Sequence, residues 1–146
     1  WTYVYNSLHL PEQQSLTLDN KNFTTTLFYN NHGHLQSKTY GGATLTYAPN
    51  ALGQPTQAGT YATGVSYYPN GAIKQFTYGN GIVHTMTQNA RQLPARSTDA
   101  IGSSKPLDLG YAYDANGNVG SITDYLAGAR YPLDMLHTDP TLFVAP

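Results

Sequence analysis

Five histidines, His9, His32, His34, His84 and His137, are the first candidates for chemistry in this 146-residue chain. His32 and His34 stand two apart, so across Gly33 they could share one side of an extended segment. A catalytic zinc ion generally takes three protein ligands, and neither a carboxylate nor a third imidazole lies near this pair in sequence. The pair is therefore expected to be an exposed, ligand-free turn, with no metal. His9 falls at a turn position, His84 on a strand and His137 in a terminal tail, none with a partner visible in the sequence. Paired-carboxylate catalysis needs two carboxyl groups facing one another about 5–9 Å apart. The candidates Asp99, Asp108, Asp114 and Asp124 all fall at or near expected turns, where a short acidic side chain satisfies backbone N–H groups. The serines have no nucleophile-elbow context, and Gly79-Asn80-Gly81 lacks the further glycine and the helix of a phosphate loop. With no cysteine in the chain, thiolate nucleophiles, disulfides and cysteine-ligated zinc are excluded together. No catalytic residue and no cofactor is expected, and the chain reads as a non-enzyme.

The elements that would position these groups follow from composition and periodicity. Charged residues make up 10% of the chain, against roughly 25% in an average soluble protein. Seven Lys and Arg face eight Asp and Glu, too balanced to neutralise many phosphates, so nucleic acid is not an expected partner. No apolar run approaches the ~20 residues of a membrane-spanning helix, and no positively charged start precedes a hydrophobic stretch of signal-peptide type. The chain opens at Trp1 rather than Met, as expected of a piece of a longer polypeptide. Thirteen Tyr, one Trp and four Phe favour strands, whose pleated surface accommodates rings and β-branched groups.

A repeat is the main signal. Tyr29-Asn30-Asn31-His32-Gly33-His34-Leu35, Tyr67-Tyr68-Pro69-Asn70-Gly71-Ala72-Ile73 and Tyr113-Asp114-Ala115-Asn116-Gly117-Asn118-Val119 share one frame. Degenerate copies begin at Tyr5, at Tyr47 (with two extra turn residues) and at Thr87. These anchors are separated by 24, 18, 20, 20 and 26 residues. A spacing near 20 accommodates two strands of ~5–6 residues and two turns, so each repeat is one hairpin. The first turn follows the anchor, with Gly33, Gly71 and Gly117 at positions needing positive φ. The second is expected midway, at Asp19-Asn20-Lys21-Asn22, Gly41-Gly42, Gly59-Thr60, Gly79-Asn80-Gly81 and Gly102-Ser103-Ser104. Stepping back by twos from the anchors gives an apolar or aromatic face, such as Trp1-Tyr3-Tyr5 and Leu109-Tyr111-Tyr113. The intervening positions are small or polar, with Val4 and Phe28 as exceptions. Six repeats predict an all-β, antiparallel hairpin-repeat fold, a curved or spiralling sheet of ten to twelve strands. The repeat segment spans 1–128 as one domain. An irregular tail is expected over 129–146, docked by Leu133, Met135, Leu136, Leu142 and Phe143.

The stretch from Tyr113 to Asp124, Tyr-Asp-Ala-Asn-Gly-Asn-Val-Gly-Ser-Ile-Thr-Asp, closely resembles the Tyr-Asp (YD) repeat of bacterial Rhs proteins, wall-associated proteins, insecticidal toxin-complex C subunits and animal teneurins. Tyr78-Gly79-Asn80-Gly81-Ile82 and Asn89-Ala90-Arg91 resemble it too, so the likeness covers roughly residues 1 to 128. It implies a wall segment of a hollow shell that encloses or presents a toxin cargo, in a protein secreted or held at the cell surface. Asp139-Pro140 is followed by Thr141 and Leu142 rather than by the Gly of the Rhs core motif, so no protease residues are carried over. The structural anchors implied are Tyr5, Tyr29, Tyr47, Tyr67, Tyr113, Gly33, Gly71, Gly117, Asp114 and Asn118. Expected partners are neighbouring YD repeats or copies of the chain at exposed sheet edges, and a toxin cargo. The alternative is a carbohydrate-binding or adhesive β-module that uses exposed Tyr rings as platforms.

Overall fold

The computed structural model describes residues 1–132, and every regular element among them is a strand. In chain order these are β1 (Thr2–Tyr5), β2 (Pro11–Leu18), β3 (Lys21–Tyr29), β4 (Leu35–Tyr40), β5 (Ala43–Thr46), β6 (Ala62–Tyr67), β7 (Ile73–Tyr78), β8 (Val83–Gln88), β9 (Pro94–Ile101), β10 (Ser104–Tyr113), β11 (Val119–Asp124) and β12 (Ala129–Pro132). They form a five-stranded sheet in the order β1-β2-β3-β4-β5 and a seven-stranded sheet in the order β12-β11-β10-β9-β8-β7-β6. Sheet neighbours are sequence neighbours throughout, so antiparallel turns are the only connections required. The twelve strands agree with the hairpin-repeat reading. The chain divides into two compact units, one from Trp1 to Val65 and one from Ser66 onward.

In the first unit, pairs such as Tyr3↔Gln14, Gln14↔Thr25, Leu16↔Phe23, Leu27↔Lys38 and Lys38↔Leu45 fix the register. Directly opposed residues share a face, so Tyr3, Leu16, Phe23, Leu27, Tyr40 and Leu45 line one side. The other side is a lattice of hydroxyls and amides: Ser15 and Thr24 are bonded at 3.0 Å, Thr17 donates to Asn22 at 2.6 Å, and Thr39 and Thr44 are bonded at 2.8 Å. Asp19-Asn20 and Gly41-Gly42 close the hairpins with positive φ at both central residues, the mirror-image turn whose twist matches that of the flanking strands. Beyond β5 the ladder stops. Pro49 and Pro55 lack the N–H that a strand interior needs, and only the isolated bridges Pro49↔Pro55 and Ala58↔Ala62 form there.

In the second unit the cross-strand rows are Gln75-Thr85-Thr98-Asp108, Phe76-His84-Asp99-Leu107 and Met86-Ser97-Leu109-Asp124. The first row is wholly polar; the other two lie on the opposite face, as the pleat requires, and mix apolar with polar side chains. β12 occupies residues that were expected to begin the irregular tail. Asp124↔Ala129, Thr123↔Arg130 and Ile122↔Tyr131 pair in register, because the turn after Asp124 returns the chain directly along β11. The remainder of that tail, with His137 and the apolar residues expected to dock it, lies outside the described residues. No hydrophobic side chain among the described residues is fully buried; the buried side chains are Asp108 and Ser121, 4% and 2% exposed. Hydrophobic groups instead lie half-covered on sheet faces.

Candidate functional site

The repeat motif builds one turn many times. In Asn6–Leu10, Asn30–His34, Asn50–Gln54, Tyr68–Ala72, Tyr78–Ile82, Asn89–Leu93 and Asp114–Asn118, the first residue's N–H donates to the fifth carbonyl and the fourth N–H to the first carbonyl, at 2.8–3.2 Å. The fourth residue takes positive φ in every one, including His9 at 59° and Gln92 at 62°, the pattern of a type I turn closed by a left-handed bulge residue. Where the first residue is Asn, its Oδ1 accepts two further backbone N–H groups, as Asn30 does from His32 at 2.9 Å and His34 at 3.0 Å. Asn6, Asn50 and Asn89 do the same. Asp114 accepts the N–H and the side-chain amide of Asn118, both at 2.9 Å. Those bonds, the side-chain one foremost, hold its carboxyl below the usual carboxylate range.

Tyr5, Tyr29, Tyr67 and Tyr113 each stand immediately before such a turn, whereas Tyr47 lies ahead of the Asn50 turn by the two extra residues. The fifth copy is shifted by one: Gln88, not Thr87, precedes its turn and pairs with Pro94. Tyr29 donates its hydroxyl to the Pro11 carbonyl and Tyr68 donates to Met86, both at 2.9 Å. Burial pushes the Tyr67 and Tyr113 phenols up. Arg91, which the sequence did not single out, ties two turns together. Its guanidinium donates to the carbonyls of Asp114 at 2.8 Å and Ala115 at 3.0 Å.

Two carboxylates expected near turns are instead inside strands. Asp99 on β9 lies opposite His84 on β8 and bonds its Nδ1 at 2.6 Å. The His84 ring stacks on Phe76 at 4.8 Å, and Tyr78 meets Phe76 edge-on at 4.7 Å. Asp108 on β10 is held by both ends of the Arg96 fork at 2.6 and 2.8 Å, with Lys105 at 3.6 Å. Arg96, through its hydrogen bonds first, keeps the Asp108 carboxyl low. The same guanidinium lies 4.3 Å from the Tyr125 ring centre, and Tyr125 covers Gly110 so closely that a Cβ there would sit 2.8 Å from the ring. These partners were missed because they are 12 to 15 residues apart and meet only through strand register. Asp114 and Asp124 are turn residues; Asp124 accepts from Leu126 at 2.8 Å and Ala127 at 3.1 Å.

The histidine pair is asymmetric. His32 is exposed, but His34 is half-buried, packed so tightly on Gly53 that a Cβ there would approach its ring to 3.0 Å. The expectation that both face solvent fails for His34, because the Asn50 turn packs against it. Among the described residues, no group of three or more His, Cys, Asp or Glu could hold a metal ion. In the first unit the exposed Trp1 stacks on Tyr3 at 6.4 Å. A shallow hollow beside it is lined by Trp1, Leu16, Leu18, Phe23, Thr25 and Tyr40.

No family model matches the chain, and no curated protein does. Solved structures do. A crystal structure of TcdB2-TccC3 matches with a TM-score of 0.72 at 18% identity, over 83% of this chain and 7% of that one. Crystal structures of TcdB2-TccC3-Cdc42 and TcdB2-TccC3-TEV match at 0.71 and 0.70, again at 18% identity, over 82% and 83% of this chain and 7% of theirs. At this identity the likeness shows the fold alone, an all-β antiparallel hairpin repeat. Tyr113 ends β10, and Asp114 organises the turn that follows.

Proposed function

We propose that the chain is a non-catalytic structural segment of a YD-repeat shell that encloses or presents a toxin cargo, in a protein secreted or displayed at the cell surface. The observation that carries this reading is the combination of hairpin meanders built on one repeated turn with the absence of any fully buried hydrophobic side chain among the described residues. A repeat that cannot bury its own faces depends on neighbouring copies to cover them. That the chain spans 7% of the TcdB2-TccC3 chain fits a segment of a longer wall, and flanking repeats and the cargo are its partners on this reading.

The second reading is a carbohydrate-binding or adhesive module, favoured by the exposed, stacked Trp1 and Tyr3. A glycan array probed with the wild-type chain and with Tyr3→Ser and Tyr40→Ser separates the two. The shell reading expects all three proteins at background. Saturable glycan binding by the wild type that both substitutions abolish would transfer the function to the aromatic platform.

A further inference from the structure

We propose that Asn116, in the turn between β10 and β11, is a site of spontaneous covalent modification, at which the side-chain amide is lost and the backbone is rerouted as isoaspartate. The inference is independent of the shell reading. Glycine follows asparagine at three places in the chain, Asn70-Gly71, Asn80-Gly81 and Asn116-Gly117. All three steps occupy the third and fourth positions of the repeated turn, and all three asparagines are exposed. An asparagine amide is attacked most readily by the backbone nitrogen of a following glycine, because no Cβ shields that nitrogen. In each turn the glycine N–H is held in the same way, by the first residue's carbonyl, at 2.9 Å for Gly71 and Gly81 and 3.2 Å for Gly117.

The side chains are what differ. Asn70 accepts the Ala72 N–H on its Oδ1 at 3.2 Å and the Gln88 side-chain amide at 3.3 Å, and Asn80 accepts the Ile82 N–H at 3.2 Å. Each carboxamide is pinned to the N–H two residues on, and must give up that bond to turn its Cγ toward the glycine nitrogen. At Asn116 the equivalent N–H, that of Asn118, is taken by Asp114 at 2.9 Å, because Asp114 stands where the other two turns carry Tyr68 and Tyr78. Among the described residues no hydrogen bond holds the Asn116 carboxamide. The Gly117 nitrogen, on losing its proton to hydroxide, bonds to the Asn116 Cγ. The Cγ–Nδ2 bond then breaks, ammonia leaves with a proton returned by water, and a five-membered succinimide remains. Water opens that ring at either carbonyl: cleavage at Cγ gives aspartate, and cleavage at the main-chain carbonyl gives isoaspartate, whose chain runs through one more carbon. Both products place a new carboxylate two residues from Asp114, and the longer backbone of isoaspartate loosens a turn whose bonds are set by five residues.

Incubation of the full 146-residue chain at mildly alkaline pH, followed by peptide mapping with electron-transfer fragmentation to distinguish isoaspartate from aspartate, measures the three steps side by side. A hydrogen bond of ordinary net strength alters a population about two- to tenfold, so the folded chain is expected to convert Asn116 about threefold or more faster than Asn70 and Asn80. In concentrated urea the three rates are expected to converge, because each step is then the same Asn-Gly dipeptide in an open chain. Asp114→Ala frees the Asn118 N–H for Asn116 and is expected to slow that site toward the other two, whereas a turn merely loosened by the substitution would speed it. Equal rates in the folded chain, a lead by Asn70 or Asn80, an Asn116 preference that persists in urea, or an unchanged or faster Asn116 in an Asp114→Ala chain with wild-type circular dichroism would each overturn the proposal.

Discussion

At the residue scale, the repeated turn is held by a left-handed fourth position and an Asx side chain. Gly117 has φ +91°, and a Cβ there would meet only ordinary contacts, the nearest being the Arg91 guanidinium at 3.5 Å. Substitution therefore acts through backbone strain rather than collision. An alanine in that region costs about 1–2 kcal/mol, partly offset by ~0.4–1 kcal/mol from stiffening the unfolded chain. Gly117→Ala should show a net loss of about 1 kcal/mol in urea melts. An unchanged or raised midpoint would remove the turn assignment at that repeat. The Tyr-Asn-x-x-Gly frame was legible because turn chemistry is local. His9 and Gln92 hide the same turn in two copies, since neither residue type advertises positive φ, and without that marker the frame falls on Thr87 instead of Gln88. Arg91 was invisible because its acceptors are backbone carbonyls more than twenty residues away.

At the element scale, β9 and β10 are joined by the fork of Arg96 on the buried carboxylate of Asp108. The folded chain binds the Asp108 and Asp114 protons less readily than the unfolded chain does, because the hydrogen-bonding partners of both favour the ionised form. Their stabilisation is thus complete above the unfolded carboxylate range, about 3.9, and is lost as pH falls below it toward the lower folded values. Urea midpoints from neutral pH downward should fall through this acid window in wild type. Asp108→Asn should be less stable at neutral pH and show a shallower acid decline. A variant whose midpoint declines in parallel with wild type would show that the Arg96 pair does not drive the acid sensitivity. Strand existence was legible from the period of two, but the pairing of His84 with Asp99 and of Arg96 with Asp108 was not. Both depend on register, which shifts once in β9–β10, beside the Gly102-Ser103 turn, and once in β8–β9, beside the Asn89–Leu93 turn.

At the scale of the whole molecule, the sequence disclosed the architecture because a repeat near 20 residues constrains every strand at once. Its interruption was less legible. The two extra turn residues after Tyr47 and the prolines at 49 and 55 end one ladder before the next begins, and the chain forms two sheets, not one. The claim that these hairpins serve as wall is tested most directly by electron cryo-microscopy of the polypeptide translated from the whole reading frame that carries this sequence. The account predicts that residues 1–132 appear as consecutive hairpins within a continuous wall, with β1 and β12 hydrogen-bonded to strands of flanking repeats and enclosed density on one side. A module standing clear of any such wall, with both edges open to solvent, would contradict it.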